Sequence, residues 1–306
     1  MRAETMRAAT CLLLAAVLSG IFGCAGRAEE PVTLRVLTFN VLVDWETKEA
    51  VPPWSARRDL CIQVVREADP DLIGFQETSP AQVDFLRESL PGYGMVGAVA
   101  LTEDDLAYLT EKLPLMAALG VRTFTDAMLF YKEAVFEKVD EGHWWLCTTP
   151  EKLAMDLGNA FPRIMVWARL RHKATGREMY AINTHFDNTM PSQVRMAALA
   201  HEWIDQHLDK SLPMVFTGDF NTDPNRGDYA RLTESPWRDA YLASPLASET
   251  GHDNNVPTSL HGNTRIDHVF YRGAALDAKE WRRVESPDPS KNLSDHYPVF
   301  AVLEWR

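Results

Sequence analysis

Residues 33–40 read TLRVLTFN, and this stretch, with the residues that follow it, decides the type of fold. Its alternation of polar and apolar or β-branched side chains predicts a β-strand over 33–39 that ends at Asn40. Apolar residues at helical spacing then predict a helix over Trp54–Ala68. A short apolar run at 72–75 predicts a second strand, which ends before two polar residues. This order of strand, helix and strand indicates an α/β fold.

The remaining elements follow in a mixed order. The sequence predicts helices over 80–90 and 193–208, an acidic helical insert over about 101–120, strands over 127–131, 135–146, 213–217, 266–271 and 298–304, and a hairpin of 165–171 with 178–184. The inward stripe of the helix over 193–208 is predicted as Val194, Ala197, His201, Ile204 and Leu208. Hairpins with single helices between them favour two stacked sheets with helices outside over one parallel sheet. We expect one domain over residues 31–306.

The composition excludes several classes of protein. The chain has 306 residues, of which 46% are hydrophobic and 24% charged, so it is neither disordered nor collagenous. Its net charge of -12 argues against a protein that coats nucleic acid, because such proteins cluster Lys and Arg against phosphates. Cys61 and Cys147 are the cysteines left for a disulfide beyond the N-terminal region, and we interpret both as small buried core residues.

The first 23 residues have the features of a signal peptide. Arg2 and Arg7 precede an apolar run over 11–22 that is too short to span a bilayer. Residues 21–24, IFGC, resemble a bacterial lipobox, in which the cysteine, here Cys24, becomes lipid-modified. We therefore expect an exported lipoprotein of the periplasm or outer membrane, attached to the membrane by its lipid alone. Release as a secreted protein is the alternative. Removal of this segment makes the remaining chain still more acidic.

Polar residues follow many of the predicted strands, where proteins commonly present binding and catalytic groups. A single aspartate at such a place is more often a turn residue or a helix cap, so only the whole set carries weight. The set consists of Asn40, Gln76, Glu77, His185, Asp187, Asp219, Asn221, Asp267, His268, Asp295 and His296.

This set suits the hydrolysis of a phosphate ester on a hard divalent cation. Mg²⁺ prefers oxygen ligands from carboxylates, phosphate and water, and Glu77 and Asp295 can supply the charge. The imidazoles of His185 and His296 titrate near neutral pH and can exchange protons with water or with a leaving group. We predict Mg²⁺ as the cofactor, with Mn²⁺ or Ca²⁺ as alternatives.

Six short motifs resemble those of the endonuclease/exonuclease/phosphatase superfamily and occur in the order that is typical of it. They are TFN at 38–40, GFQE at 74–77, NTH at 183–185, GDFN at 218–221, RID at 265–267 and SDH at 294–296. The resemblance covers about residues 33–306. It implies a four-layer α/β/β/α sandwich of two mixed sheets, of the α/β (α+β) class, with a phosphoesterase site at one end of the sheets.

The resemblance also implies roles for the metal-side and phosphate-side residues. Asn40 and Glu77 match the metal-holding positions, with Glu77 as the main ligand, and Asp295 resembles an additional metal-side carboxylate. His185 matches the histidine that contacts the scissile phosphate.

The remaining motif residues match the groups that act on water. Asp219 and Asn221 match the pair that orients the attacking water and donates to a phosphate oxygen. Asp267 matches the carboxylate that fixes a histidine, here His296. Either Asp219 or His296 is the base, and both remain candidates.

Several other residues allow two interpretations. Arg163 either contacts a substrate phosphate or forms a structural salt bridge. Asp187 and Arg195 are explained by local packing or by a pattern shared with a bacterial subgroup of the superfamily. His268 is expected to be a neighbour of the site, and His201 a hydrogen-bonded core histidine and not a zinc ligand.

Two stretches outside the motifs are further candidates for substrate contact. Trp144 and Trp145 are predicted to pack in the core of a strand, and stacking on a base or sugar is the alternative. The insert over 101–120 is expected to be a solvated helix, with a lid over the cleft as the alternative.

We therefore expect a metal-dependent phosphoesterase acting on an extracytoplasmic phosphorylated small molecule or lipid head group, as a monomer. The first alternative is a secreted nuclease, which requires a basic rim. Arg163, Arg169, Arg171 and Lys173 are the available cations, and strand alternation is expected to divide them between two faces. The second alternative is a binding protein without catalytic activity.

Overall fold

The structure, a computed structural model, describes residues 30–245, 256–262 and 264–306. The predicted signal peptide and Cys24 lie outside the described residues. Residues Pro31–Arg306 form one compact unit. Within the described ranges, no helix has both the length and the apolar character needed to cross a membrane.

The strands and helices follow the predicted order closely. The strands are β1 (Val32–Asn40), β2 (Leu72–Gln76), β3 (Tyr93–Val96), β4 (Val99–Ala100), β5 (Thr123–Phe124), β6 (Ala127–Lys132), β7 (Phe136–Trp145), β8 (Ile164–His172), β9 (Glu178–His185), β10 (Met214–Asp219), β11 (Arg238–Asp239), β12 (Asp267–Arg272), β13 (Leu276–Arg283) and β14 (Val299–Trp305). The helices are α1 (Trp54–Ala68), α2 (Pro80–Ser89), α3 (Glu103–Lys112), α4 (Pro114–Ala118), α5 (Ser192–His207), α6 (Gly227–Leu232) and α7 (Ala240–Ala243).

The strands form two mixed six-stranded sheets, which confirms the predicted fold class. The first has the order β13-β14-β1-β2-β6-β3 and the second the order β11-β12-β10-β9-β8-β7, while β4 and β5 pair in a small separate sheet. Each large sheet contains one parallel pair, β1 with β2 and β9 with β10, and its other pairs are antiparallel. The parallel connections run through α1 and α5, as the order strand, helix, strand requires.

Three hydrophobic clusters define the four layers. Leu34, Val36 and Val215 belong to the cluster between the two sheets. Leu37 and Phe39 pack with α1 and α2 on the opposite face of the first sheet, and α5 and α6 pack against the outer face of the second. Because strand side chains alternate between faces, even-numbered residues of β1 point to the second sheet and odd-numbered ones to the helices.

A buried polar layer joins the sheets just below their polar end. The amide of Gln76 donates to the Asn183 side-chain oxygen (2.7 Å), and Asn183 donates to the carbonyls of Phe75 and Met128 (2.9 and 3.0 Å). Gly74 faces this layer, since a Cβ there would lie 2.3 Å from side-chain atoms of Asn183 and Thr217. The layer therefore fixes how the two sheets meet beneath the strand ends.

The structure contains elements that were not predicted, among them β3, β11, β13 and α6, and it corrects one position of α5. Strand β13 was not predicted, because a bulge between Ala278 and Glu280 breaks its apolar alternation. Val194 is 42% exposed and not on the inward stripe of α5, whose buried face includes Met196, Ala197 and Ala200. The insert is helical as predicted, but Pro114 begins a second short helix there.

Both core cysteines are free and buried, as their interpretation as small core residues requires. Burial raises the pKa of Cys61 to about 12 and that of Cys147 to about 11, so both thiols are protonated at neutral pH.

Candidate active site

The polar residues of the motifs converge because they continue the inner faces of their strands. In β1, Asn40 shares the face of Val36; in β10, Asp219 shares that of Val215. His185 and Asp267 likewise continue the inner faces of β9 and β12, and Asp219 pairs in register with both. Two buried sheets therefore become polar at the same end.

Asn40 holds two carboxylates through its amide nitrogen. The Nδ2 group donates to Glu77 Oε1 (2.9 Å) and to Asp219 Oδ2 (3.0 Å), which come from opposite sheets. The side-chain oxygen accepts from the backbone N–H of Leu42 (3.0 Å). The amide nitrogen of Asn40 therefore faces the carboxylates, and the metal-holding role that the resemblance implies stays a prediction.

Glu77 lies on the turn that follows β2, with a φ of 54°. This left-handed conformation is unfavourable for a side chain such as glutamate, and it is held by a hydrogen bond from the Glu77 N–H to the Asp126 carbonyl (2.9 Å). The carboxylate meets His185 and Asp219, and ligand atoms of these three residues lie within 4.8 Å of one another. The turn thus directs Glu77 toward the second sheet.

A second group of three contains Asp219, Asp267 and His296, again within 4.8 Å. The Nδ1 atom of His296 lies 2.9 Å from Asp267 Oδ2, and its Nε2 atom lies 3.5 Å from Asp219 Oδ2. Asp219 is therefore shared between the two groups, and it also accepts the N–H of Asn221 (3.0 Å).

The carboxylates outweigh burial in setting the charge of the imidazoles. Burial alone would lower the pKa of His296, but attraction by Asp267 and Asp219 holds that pKa well above its usual value. The pKa of His185 is also raised, because Asp126 and Asp219 together outweigh burial and the nearby charge of Arg163. The carboxylates therefore shift the titration of both imidazoles in the same direction.

Asp126 is a member of the site that the sequence analysis missed. Its Oδ1 atom lies 3.1 Å from His185 Nδ1, and its Oδ2 atom lies 3.2 Å from Arg163 NH1. Burial would raise the pKa of Asp126, but attraction by His185 and Arg163 lowers it. Asp126 comes just before β6 and belongs to none of the six motifs. The one sequence signal that could have identified it is a charged residue next to an apolar run.

Arg163 is part of this buried contact. Its guanidinium NH1 lies 2.7 Å from His185 Nδ1, and its Nε lies 3.8 Å from Asp187 Oδ1. The structural salt bridge that was one interpretation of Arg163 is therefore present, at a place that borders the cleft described below.

Asn221, Asp187 and Arg195 organise the loops beside the site. Asn221 has a φ of 49°, and its Nδ2 group donates to the Phe186 carbonyl (3.0 Å). The buried carboxylate of Asp187 accepts from Ser192 Oγ (2.9 Å) at the start of α5. Arg195 donates to the Leu157 carbonyl (3.0 Å). Local packing thus accounts for Asp187 and Arg195.

Asp295 is held at the edge of the site. Its Oδ2 atom lies 2.9 Å from His261 Nε2 and 3.9 Å from Lys48 Nζ. Among the described residues, neither converging group of carboxylates and imidazoles includes it. Burial would raise the pKa of Asp295, but His296, His261 and Lys48 lower it. The structure therefore does not bring Asp295 together with Glu77.

A buried network lies beside the segment that follows β10. Arg265 donates to Asp239 Oδ2 (2.5 Å), and its guanidinium lies 2.6 Å from His268 Nδ1. The other ring nitrogen of His268 lies 3.0 Å from the carbonyl of Thr222. His268 is thus a neighbour of the site, as expected.

The remaining candidates belong to the core. His201 stacks on Trp237 with ring centroids 5.5 Å apart, and burial lowers its pKa to about 4. Within the described residues its Nε2 atom has no hydrogen-bond partner. His201 is therefore a core histidine as predicted, but this nitrogen lacks the expected hydrogen bond. Trp145 is buried in the core between the sheets, and Trp144 stacks on Trp167.

The donor set fits a divalent cation. One ligand atom each of Glu77, Asp219 and His185 lies within 4.8 Å of the others, and the two carboxylates, which come from opposite sheets, are bridged by the Asn40 amide. Oxygen-rich sites of this kind suit hard cations such as Mg²⁺. Glu77 would be the principal ligand, and Asp219 would supply a second carboxylate.

A cleft of about 220 Å³ opens beside Glu77 and His185. Its lining includes Glu77, His185, Asp126 and Arg163 together with several apolar side chains. The site is therefore accessible to a ligand of small-molecule size.

Comparison with known proteins agrees with this geometry. The sequence profile of the Endonuclease/Exonuclease/phosphatase family matches residues 37–296, and the chain belongs to that family. Members of this family are phosphoesterases that generally depend on a divalent metal. The chain is also 28% identical over 290 residues to an uncharacterized protein of Acanthamoeba polyphaga mimivirus, covering 89% of this chain and 100% of the viral one.

Solved structures show the same fold. An endonuclease/exonuclease/phosphatase from Bacteroides vulgatus is 25% identical, with a TM-score of 0.72 over 90% of this chain and 100% of that one. The mannosyl-6-phosphatase of Bacteroides thetaiotaomicron is 25% identical, with a TM-score of 0.69 over 88% and 99%. The human Nocturnin catalytic domain, 19% identical with a TM-score of 0.66 over 90% and 95%, shares the fold.

Proposed function

We propose that this protein is a Mg²⁺-dependent phosphoesterase that hydrolyses a phosphate ester of a small molecule or lipid head group outside the cytoplasm. The observation that carries the proposal is the convergence of carboxylates and imidazoles from two sheets in two groups that share Asp219, with Glu77 and His185 lining the cleft. Family membership supports the reaction type, and the N-terminal sequence supports export.

The bound cation would neutralise phosphate charge and polarise the ester. Asp219 is the group best oriented to hold the attacking water, because Asn40 and Asn221 fix its two carboxylate oxygens by hydrogen bonds. His296, fixed by Asp267, and His185, fixed by Asp126, then supply donors for the charge that develops on the phosphate oxygens.

The distribution of positive charge favours a small substrate over a long polyanion. Arg169 and Arg171 share the outer face of β8 instead of being divided between faces, and both donate to Glu178 (2.6 and 3.0 Å). Lys173 donates to the Glu133 carbonyl (2.5 Å). The two arginines are therefore paired with a carboxylate, and Lys173 is hydrogen-bonded to a carbonyl. The chain as a whole carries a charge of -12. The similar mannosyl-6-phosphatase supports a phosphorylated sugar as one substrate to test.

A hydrolysis screen with and without Mg²⁺ tests the proposal. The substrates are sugar phosphates, an aryl phosphodiester, phosphoinositides, sphingomyelin, and single- and double-stranded DNA. We expect Mg²⁺-dependent release of phosphate or alcohol from a small ester, lost in Glu77→Gln and Asp219→Asn. Glu280→Gln, on the exposed surface, is the matched control and should keep full activity.

Each alternative has its own outcome in this screen. Preferred cleavage of DNA would replace the proposal by the nuclease alternative. Saturable binding of a phosphate ester without turnover would favour a binding protein. Turnover that is equal in wild type and both site variants would refute the assignment of the site.

A further inference from the structure

Besides the charged residues, the cleft is lined by apolar side chains from four separate segments. Trp45 comes from the loop after β1, Met116 from α4, and Phe161 from the loop before β8. Val121 lies just before β5, and Phe124 is the last residue of β5. We call these five residues the apolar wall. Met116 and Val121 belong to the predicted insert or its boundary, which therefore reaches the substrate cleft.

Two of these side chains are not explained by the core. Trp45 is 42% and Phe161 48% exposed, and both are among the exposed large hydrophobic residues of the described chain. Phe124, in contrast, is buried and packs on Trp145 with ring centroids 5.0 Å apart. Exposed aromatic rings beside a charged pocket leave apolar area in water that a ligand can cover.

The charged groups near the wall do not compete for this area. Lys48 and Glu46 line the same cleft, but they lie 3.5 Å apart and partly neutralise each other. Arg163 contacts Asp126 and His185, and its guanidinium carbon lies 5.9 Å from the ring centroid of Phe161, which still stays 48% exposed. The cleft thus combines ionic groups for a phosphate with apolar side chains for the rest of the substrate.

We propose that the apolar wall selects phosphate esters whose leaving group contains a ring with an apolar face, which stacks on Trp45 and Phe161 while the phosphate lies at Glu77. The inference rests on the proposed function and adds the substrate class. An aromatic ring and the C–H face of a sugar ring share this chemistry. The insert contributes to selection through Met116.

Three esters of primary alcohols test the wall without changing the chemistry of the leaving oxygen. They are benzyl phosphate, a hexose phosphate esterified at its primary hydroxyl, and glycerol phosphate, each also as its methyl diester. We expect wild type to prefer one or both ring compounds over glycerol phosphate in kcat/KM. The preferred ring then identifies an aryl or a sugar substrate.

Variants of the wall then locate the preference. In Trp45→Ala and Phe161→Ala we expect the ratio of kcat/KM for ring and glycerol esters to fall about tenfold, mainly through KM. Trp45→Phe keeps a ring and should retain most of the ratio, which separates stacking from misfolding. Val139→Ala, at an exposed apolar residue of β7 outside the cleft, is the matched control and should leave the ratio unchanged.

The outcomes separate this inference from the proposed function. Absence of turnover of every ester by wild type would refute the function itself. Turnover without a preference for rings, or a preference that persists in both alanine variants, would overturn the role of the wall and leave the phosphoesterase assignment standing.

Discussion

His296 and Asp267 form a buried pair in which His296 Nδ1 lies 2.9 Å from Asp267 Oδ2. They come from different segments, one preceding β14 and the other beginning β12. Because the carboxylate holds the Nδ1–H, the other ring nitrogen is directed toward Asp219 at 3.5 Å. This pair therefore determines which imidazole nitrogen faces the reacting groups.

Asp267→Asn should leave the fold intact and lower kcat by a factor on the order of 10³, because a neutral amide no longer fixes the imidazolium. The pKa of His296 should fall, since Asp267 is the main attraction that keeps it raised. Steady-state kinetics and an NMR titration of the histidine ring protons measure both effects. Asp288→Asn, at the surface, is the control, and an unchanged kcat in Asp267→Asn would contradict the assignment.

Asp126→Asn should impair both stability and activity. The change removes the nearer of the two carboxylates beside the buried Arg163 and leaves only Asp187 at 3.8 Å, which costs about 2 kcal/mol of unfolding free energy. It also removes the carboxylate that orients the His185 ring through Nδ1, and we therefore expect kcat/KM to fall at least about tenfold. Urea unfolding and kinetics test the two parts. Asp140→Asn, an exposed carboxylate on β7, should change neither, and a similar loss there would argue against a specific role of Asp126.

Removal of the divalent cation should abolish activity, and its return should restore it. At a free concentration about 100 times its Kd, the ion should stabilise the folded chain by about 2.7 kcal/mol, because it binds where Glu77 and Asp219 converge. Glu77→Gln should weaken this stabilisation through an affinity loss on the order of 100-fold. Thermal unfolding at increasing Mg²⁺ gives the measurement. An equal shift of Tm in wild type and Glu77→Gln would place the ion elsewhere.

His201 should make the protein less stable in mild acid. Burial holds its pKa at about 4 in the folded chain, against about 6.5 when unfolded. Between these pH values the unfolded chain binds a proton that the folded chain excludes, so stability falls as the pH drops from about 6.5 to about 4, by about 3 kcal/mol. His201→Phe keeps a ring on Trp237 and should remove this contribution.

The comparison of wild type with His201→Phe isolates the effect from other titrating groups. The free energy of unfolding is measured by urea at several pH values, and the difference between the two proteins is plotted against pH. A difference that is constant over this range would show that His201 binds protons equally in both states.

Asn183→Ala should destabilise the protein by about 3 kcal/mol. Its amide satisfies two buried carbonyls and accepts from Gln76, so its removal leaves several buried polar groups without partners. The midpoint of urea unfolding measures the loss. Asn225→Ala, in an exposed loop, is the control. Equal stability of the Asn183 variant would show that water replaces the lost contacts.

Much of the fold was predictable because local patterns carry it. The alternation in 33–39 and the helical spacing in Trp54–Ala68 match β1 and α1 closely, since their apolar faces are continuous in sequence. Where the pattern is interrupted, prediction was wrong or incomplete, as in β13 with its bulge. Val194 was misplaced because an apolar residue beside a buried stripe looks the same in sequence as one on it.

The sequence by itself determined the residue types of the site and the strand ends that carry them. Only the tertiary structure decided which of them meet. It brought Asp126 to His185, turned the Asn40 amide nitrogen toward two carboxylates, and held Asp295 against His261. These contacts join residues far apart in the chain, and they depend on how two twisted sheets stack and on the direction of each side chain. Local sequence patterns contain neither quantity.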